Sequence, residues 1–196
     1  MDDIKSIIEK RIRELKITSL DISFNELADM YQNKELIINP EYQRTFRWDI
    51  EKRSRFIESL LMEMPIPSIY VIEIDDGQYE LIDGLQRISS YLSFRGFFNE
   101  ISNGQECETF INKSVNYESD NEEIYEVFDD DCSSSLTNLS SFALNGCDII
   151  TELNGLKFDE LQAALQIKLK RAYIRMEVLR KGINPELKYH MFKRLN

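Results

Sequence analysis

The Asp83-Gly84 junction constrains the fold of this chain more than any other feature. Two β-rich runs, residues 69–74 and 79–82, precede it and are joined by Asp75-Asp76-Gly77, a typical hairpin turn. Residues 85–95 follow it with the apolar spacing of a helix. The chain must therefore pass from a hairpin strand into a helix through a glycine, which predicts a mixed α/β fold.

Further helices and strands are indicated on both sides of this junction. Ser23-Phe24-Asn25-Glu26 has the form of a capping box that opens a helix through about Tyr31. Asp49 can cap a helix over about 50–63, with Arg53 and Arg55 away from its apolar face, which is formed by Ile57, Leu60, Leu61 and Met64. The remaining predictions are helices at 2–15 and 158–169, strands at 36–38 and 172–179, and a last helix from Asn184-Pro185. This irregular order of short elements predicts an α+β fold, not a doubly wound sheet.

The charge of the chain is concentrated in one region. Residues 97–160 hold 15 acidic and 2 basic residues, a net charge of −13, so the rest of the chain carries +2 of the total of −11. Within this region, residues 114–146 are rich in Asp, Glu, Ser and Asn, and we interpret them as an acidic insertion or mobile loop. We expect a helical lead-in at 1–34, a core at 35–113, and the C-terminal part of the same domain at 147–196.

Several classes of protein are excluded by composition. No run approaches 18 apolar residues, so no membrane span is predicted, and the acidic start does not resemble a secretory signal. The three cysteines, Cys107, Cys132 and Cys147, lack metal-ligand spacing and are expected to be reduced thiols in a cytoplasm. His190 is the only histidine, which excludes a nuclease centre of the HNH type from this chain. Asp129-Asp130-Asp131 indicates a solvated acidic loop, because the spaced ligands of a calcium loop are missing.

The junction itself has a shape suited to anions. A glycine between strand and helix lets backbone N–H groups approach a phosphate, and the helix N-terminus adds positive potential. Arg87 can add a forked, permanently charged donor, and Gln86 can donate to phosphate, sugar or base. The alternative is purely structural: Asp83 would only cap the helix, and Arg87 would only form a salt bridge.

A second segment, residues 39–48, interleaves Arg44 and Arg47 with three aromatic residues ahead of a predicted helix. Arginine beside an aromatic ring can hold phosphate while the ring stacks on a base. The alternative is that the aromatic residues, Tyr42, Phe46 and Trp48, anchor the loop to the core.

These motifs occur in an order that resembles a known family. Asn39-Pro40-Glu41-Tyr42-Gln43-Arg44 through Trp48, Pro65-Ile66-Pro67 and Ile82-Asp83-Gly84-Leu85-Gln86-Arg87 resemble the N-terminal domain of GmrSD-type modification-dependent restriction systems. The resemblance resumes at Leu153-Asn154-Gly155-Leu156-Lys157-Phe158 and at Phe192-Lys193-Arg194-Leu195-Asn196, so it covers most of residues 35–196. It implies a ParB/sulfiredoxin-like nucleotide-binding domain.

The resemblance also implies an activity and the residues that carry it. It implies a Mg²⁺-dependent nucleoside triphosphatase that takes ATP, GTP or CTP, with Asp83, Gln86 and Arg87 as its catalytic residues. The nucleotide would be bound by these three together with Gly84 and the facing residues, Tyr42, Gln43 and Arg44. This chain departs from the family at Leu85, where the family has Gln, and this puts hydrolysis in question. Sulfiredoxins have a reactive cysteine there, so Leu85 excludes their reductase chemistry.

The sequence thus predicts a nucleotide-binding hydrolase domain for antiviral defence against foreign or modified DNA. Its expected partners are a nucleoside triphosphate, DNA, and a nuclease domain or subunit, with no membrane. The alternative is a non-catalytic module that binds DNA or a partner, with nucleotide only as a switch. In the resembling family a glycine-containing loop and further helices follow the phrase at 192–196. The sequence is therefore expected to be a fragment, or a short form completed by a partner.

Overall fold

A five-stranded mixed sheet organises the protein. The structure, a computed structural model, describes residues 3–6, 8–9, 17–38, 47–75, 77–98 and 141–180. The strands are β1 (Ile17–Ser23), β2 (Leu36–Ile37), β3 (Ile69–Asp75), β4 (Gln78–Asp83) and β5 (Tyr173–Leu179). The helices are α1 (Phe24–Gln32), α2 (Ile50–Leu61), α3 (Leu85–Phe94) and α4 (Ala163–Arg171). The α+β class predicted from the sequence is confirmed.

The strands are arranged in the order β1-β5-β3-β4-β2. The predicted hairpin pairs β3 with β4 in antiparallel fashion, while β5 lies parallel to β3 and antiparallel to β1. The sequence did not reveal β1, which lies within the segment expected to be a helical lead-in. The strand has no alternating burial, since Ile22 is its only buried residue, and β1 lies at an edge of the sheet.

Two of the helices begin at the predicted caps. The Ser23 hydroxyl accepts from the Glu26 N–H at 3.1 Å, and the Asp49 carboxylate accepts from the Lys52 N–H at 2.8 Å. Each bond satisfies a helix N–H that has no partner within its helix. Residues 4–6 and 8–9 are also helical, as predicted. None of the helices in these described stretches is both long and apolar enough to cross a membrane.

The helix predicted over 158–169 is shifted in the structure. Phe158–Glu160 form a single 3₁₀ turn, and α4 begins only at Ala163. The reason is local: the Glu160 carboxylate accepts from the Lys157 N–H at 2.7 Å and closes the turn. Leu161 then adopts an extended backbone that buries its side chain in the core.

The core lies between the sheet and helices α1, α2 and α3. Its largest fully buried side chains include Phe24, Leu27, Ile57, Tyr91 and Leu92. The placement of Arg53 outside the apolar face of α2 is wrong, because Arg53 is 5% exposed. Its guanidinium lies 3.9 Å from the centre of the Phe142 ring and donates to the Ser93 hydroxyl. The side chain is therefore buried by stacking and hydrogen bonding between α2 and α3.

The segment that follows the acidic region is anchored to α2. Phe142 and Leu144, at the end of the stretch assigned to the insertion, are buried core residues. The buried Glu58 carboxylate accepts from the backbone N–H groups of Asp148 at 3.3 Å, Ile149 at 3.0 Å and Ile150 at 2.6 Å. A single buried carboxylate thus satisfies three successive backbone donors and fixes this segment to α2.

Candidate functional site

Gly84 makes the predicted junction possible. Its φ of 109° lies in the left-handed region, which side chains other than glycine rarely adopt. A Cβ at this position would lie 2.3 Å from the Ile69 Cγ2 atom on the neighbouring strand β3. Gly84 is therefore required both for the turn and for the close packing of the turn against β3.

The N-terminus of α3 begins at Gly84 without a side-chain cap. This distinguishes it from α1 and α2, in which Ser23 and Asp49 supply caps. The Asp83 side chain forms no capping hydrogen bond to α3, contrary to the structural alternative considered from the sequence. The first N–H groups of α3 therefore receive no capping side chain, and this leaves them suited to an external anion.

Helices α2 and α3 have their N-termini at the same end of the molecule. Gln86 in the first turn of α3 contacts residues 47–48 just ahead of α2, and Ser93 near the end of α3 contacts Arg53 further along α2. The first of these contacts places the N-termini of the two helices near each other, and the second shows that α2 and α3 remain in contact beyond them. The uncapped N-terminus of α3 thus adds positive potential at the junction, whereas the Asp49 carboxylate occupies the N-terminus of α2.

Asp83 and Arg87 form an ion pair within the junction. The Arg87 Nη2 atom lies 2.8 Å from the Asp83 Oδ2 atom, and the two side chains are 14% and 25% exposed, respectively. The same Nη2 atom donates to the backbone carbonyl of Ser68 at 3.2 Å. Arg87 Nε is buried, and no partner for it lies among the described residues. The salt-bridge alternative is thus observed, but the pair is mostly buried and holds the guanidinium in one place. The Ser68 carbonyl carries no sequence signal, so the sequence could not have identified it.

The other two residues of the motif lie on different sides of α3. Gln86 Oε1 accepts from the backbone N–H groups of Arg47 at 3.0 Å and Trp48 at 3.1 Å. Leu85 packs against the hydrophobic core. Trp48 also packs against the core, edge to face with Phe56 at 5.8 Å, as the anchoring interpretation expected for this residue.

Several residues that the sequence singled out lie outside the described residues. This group contains the nucleotide-binding candidates Tyr42, Gln43 and Arg44, together with Phe46, Cys107, Cys132, His190 and Asp129-Asp130-Asp131. Of the predicted site, the structure therefore brings together Asp83, Gly84, Gln86 and Arg87, and adds the backbone of residues 47–48.

A concave surface lies away from the junction. This cleft, with a volume of about 320 Å³, is lined by β1, α1 and the start of β4, and contains none of the predicted site residues. Three carboxylates, those of Glu26, Asp29 and Glu35, are among its lining residues. Their charge disfavours phosphate, so the junction is the better candidate for an anionic ligand.

Comparison with known proteins supports the family that the motifs at this junction indicate. Residues 25–196 match the family model described as the N-terminal domain of the GmrSD restriction endonuclease. The chain belongs to this family. Neither the curated proteins nor the solved structures contain a match. The GmrSD match includes the whole Asp83–Arg87 junction and both helices that converge on it, and it confirms the family indicated by the sequence.

Proposed function

We propose that this GmrSD N-terminal domain binds a nucleoside triphosphate as part of a restriction system directed at foreign or modified DNA. The observation that carries the proposal is the uncapped N-terminus of α3 at Gly84, beside the N-terminus of α2. Backbone N–H groups at a glycine turn, reinforced by the dipole of α3, are suited to hold phosphate oxygens.

Arg87 would supply the side-chain charge for this phosphate. Its ion pair with Asp83 and its bond to the Ser68 carbonyl fix the guanidinium beside the first turn of α3. A fixed guanidinium loses little conformational entropy when it binds an anion, which favours affinity. Asp83 would thus orient Arg87.

Mg²⁺ would enter this site together with the nucleotide. Among residues 17–38, 47–75, 77–98 and 141–180, no group of three acidic, histidine or cysteine side chains could hold a metal ion. Protein-bound Mg²⁺ commonly takes one or two carboxylates along with phosphate oxygens, so the single motif carboxylate of Asp83 fits that pattern. When bound, the ion would neutralise phosphate charge, and Asp83 would be its protein ligand.

We further propose that the bound nucleotide is hydrolysed, and substitution of Leu85 tests this. Leu85 packs against the core where the family has a glutamine, which favours the alternative of a nucleotide switch without turnover. Phosphate release should therefore be measured in the wild type and in Leu85→Gln. Turnover in the wild type would establish a triphosphatase. Binding without turnover, with turnover gained in Leu85→Gln, would establish the switch.

Nucleotide binding is tested with ATP, GTP and CTP in the presence of Mg²⁺. Arg87→Ala should weaken the affinity about tenfold or more, because a charge-assisted hydrogen bond contributes roughly 1.5–3 kcal/mol. Arg55→Ala is the matched control, since Arg55 pairs with Glu51 and Asp148 on the exposed face of α2. Unchanged affinity in Arg87→Ala, with the fold verified by circular dichroism, would refute the site.

DNA and a nuclease domain or subunit are the proposed macromolecular partners, and the family membership supports both. DNA binding through phosphate contacts must weaken steeply as salt increases. An affinity for DNA that is independent of salt would count against such contacts.

A further inference from the structure

The side chain of Gln86 forms a link between two segments that are distant in the sequence. Its Oε1 atom accepts two hydrogen bonds, from the backbone N–H of Arg47 at 3.0 Å and from that of Trp48 at 3.1 Å. A side-chain amide oxygen has two lone pairs, so both are used in these contacts. Only the amide protons on Nε2 remain available to a ligand.

Both ends of this link are held in place. The Gln86 main-chain carbonyl accepts from the hydroxyl of Ser90, a fully buried residue, at 2.6 Å, which fixes the first turn of α3. On the other side, the Trp48 ring packs against Phe56 of α2, and the Asp49 carboxylate caps that helix. The Gln86 amide therefore joins two rigid parts of the protein.

We infer that Gln86 is a positioning residue that fixes the segment entering α2 against the first turn of α3. This inference rests on the proposed function for its effect on nucleotide, but the link itself does not depend on a ligand. Gln86 would hold residues 47–48 beside the uncapped first turn of α3, so that both segments border the same phosphate. The residue would then act through the backbone that it positions, in addition to any contact made by its Nε2 protons.

The link is tested by amide hydrogen exchange at Arg47 and Trp48, measured by NMR without nucleotide. Gln86→Met, which has a side chain of similar size but no acceptor, should accelerate exchange of both amides about tenfold or more, because two hydrogen bonds are lost. Gln86→Glu keeps the acceptor oxygens and should retain protection of both amides. Gln86→Asn, which is one methylene shorter, serves as a second loss variant should Gln86→Met fold poorly.

Gln166→Met is the matched control. The Gln166 side chain is also half-buried and also bonds to backbone, donating to the Leu161 carbonyl at 2.9 Å, but it lies on α4. Exchange at Arg47 and Trp48 should be unchanged in this variant. Similar acceleration in the control would mean that the effect is general destabilisation, and would overturn the assignment.

Nucleotide affinity is then measured in the same variants and compared with the protection of the two amides. Gln86→Met should lose nucleotide affinity together with the protection of Arg47 and Trp48. Lost affinity with both amides still protected would overturn the inference and leave Gln86 as a ligand only. A wild-type protein that binds none of ATP, GTP and CTP would refute the proposed function, and amide exchange alone would then decide whether the link exists.

Discussion

Replacing Gly84 with alanine tests the geometry on which the junction depends. The substitution adds one methyl group, but at a backbone φ of 109° and within 2.3 Å of the Ile69 Cγ2 atom. Ile69 is fully buried in β3, so its side chain cannot move aside into solvent. The substitution therefore imposes both backbone strain and an atomic overlap.

The two effects can be estimated separately. A non-glycine residue in the left-handed region costs roughly 1–3 kcal/mol. Forcing an additional methyl group into a packed core typically costs about 1–3 kcal/mol more. Gly84→Ala should therefore lower the free energy of unfolding by about 2–6 kcal/mol, a large share of the roughly 5–15 kcal/mol of a typical domain.

Urea unfolding followed by circular dichroism measures this change, and Gly155→Ala is its control. Gly155 has a φ of 92°, but a Cβ there would have no neighbour within 4 Å, so only the strain applies. Ile69→Leu removes the Cγ2 methyl and should recover part of the loss in a double-mutant cycle. Equal destabilisation by Gly84→Ala and Gly155→Ala would show that Ile69 does not lie against the turn, and would refute the packing described above.

Two further predictions concern the buried polar groups near α2. Glu58→Gln should destabilise the protein by about 2–4 kcal/mol in urea unfolding, because three backbone donors lose an anionic acceptor. The control is Glu63→Gln, which alters an exposed ion pair with Lys168 and should change stability by less than about 1 kcal/mol. Equal effects would contradict the role given to Glu58. The pKa of the Cys147 thiol is raised from 9.0 to about 11, mainly by burial and to a smaller extent by the carboxylates of Glu58 and Asp148. The neutral thiol therefore stabilises the folded protein below pH 9, and this contribution is lost as the pH rises to about 11. Over this range the free energy of unfolding should fall more steeply with pH in the wild type than in Cys147→Ala. Parallel curves of unfolding free energy against pH would refute the shift.

The elements that the sequence predicted correctly are those specified by nearby residues. The caps at Ser23 and Asp49 and the β3–β4 hairpin each depend on side chains within a few positions of one another. The junction at Gly84 could be predicted for the same reason, because a glycine between a strand and a helix is visible without knowledge of the rest of the fold.

Features that depend on distant partners could not be predicted in this way. Strand β1 pairs with β5 across 150 positions or more, and its exposed positions give no periodic pattern. Arg53 looks like a surface residue until Phe142 and Ser93 are brought beside it. The position of Gln86 in a motif predicts contact with a ligand, but it reveals nothing of the backbone of residues 47–48, to which the side chain is bonded.

The position of β5 in the sheet has a consequence for how the protein forms. β5 is synthesised after the other four strands, yet it lies between β1 and β3. Among the described strands, only β5 pairs with β1 and with the outer side of β3, so until residue 179 has left the ribosome both are open to wrong pairing. Folding should therefore be slow for a protein of this size, because contacts between distant segments form late. A chain interrupted before β5 would lose the middle of the sheet and not merely one of its edges.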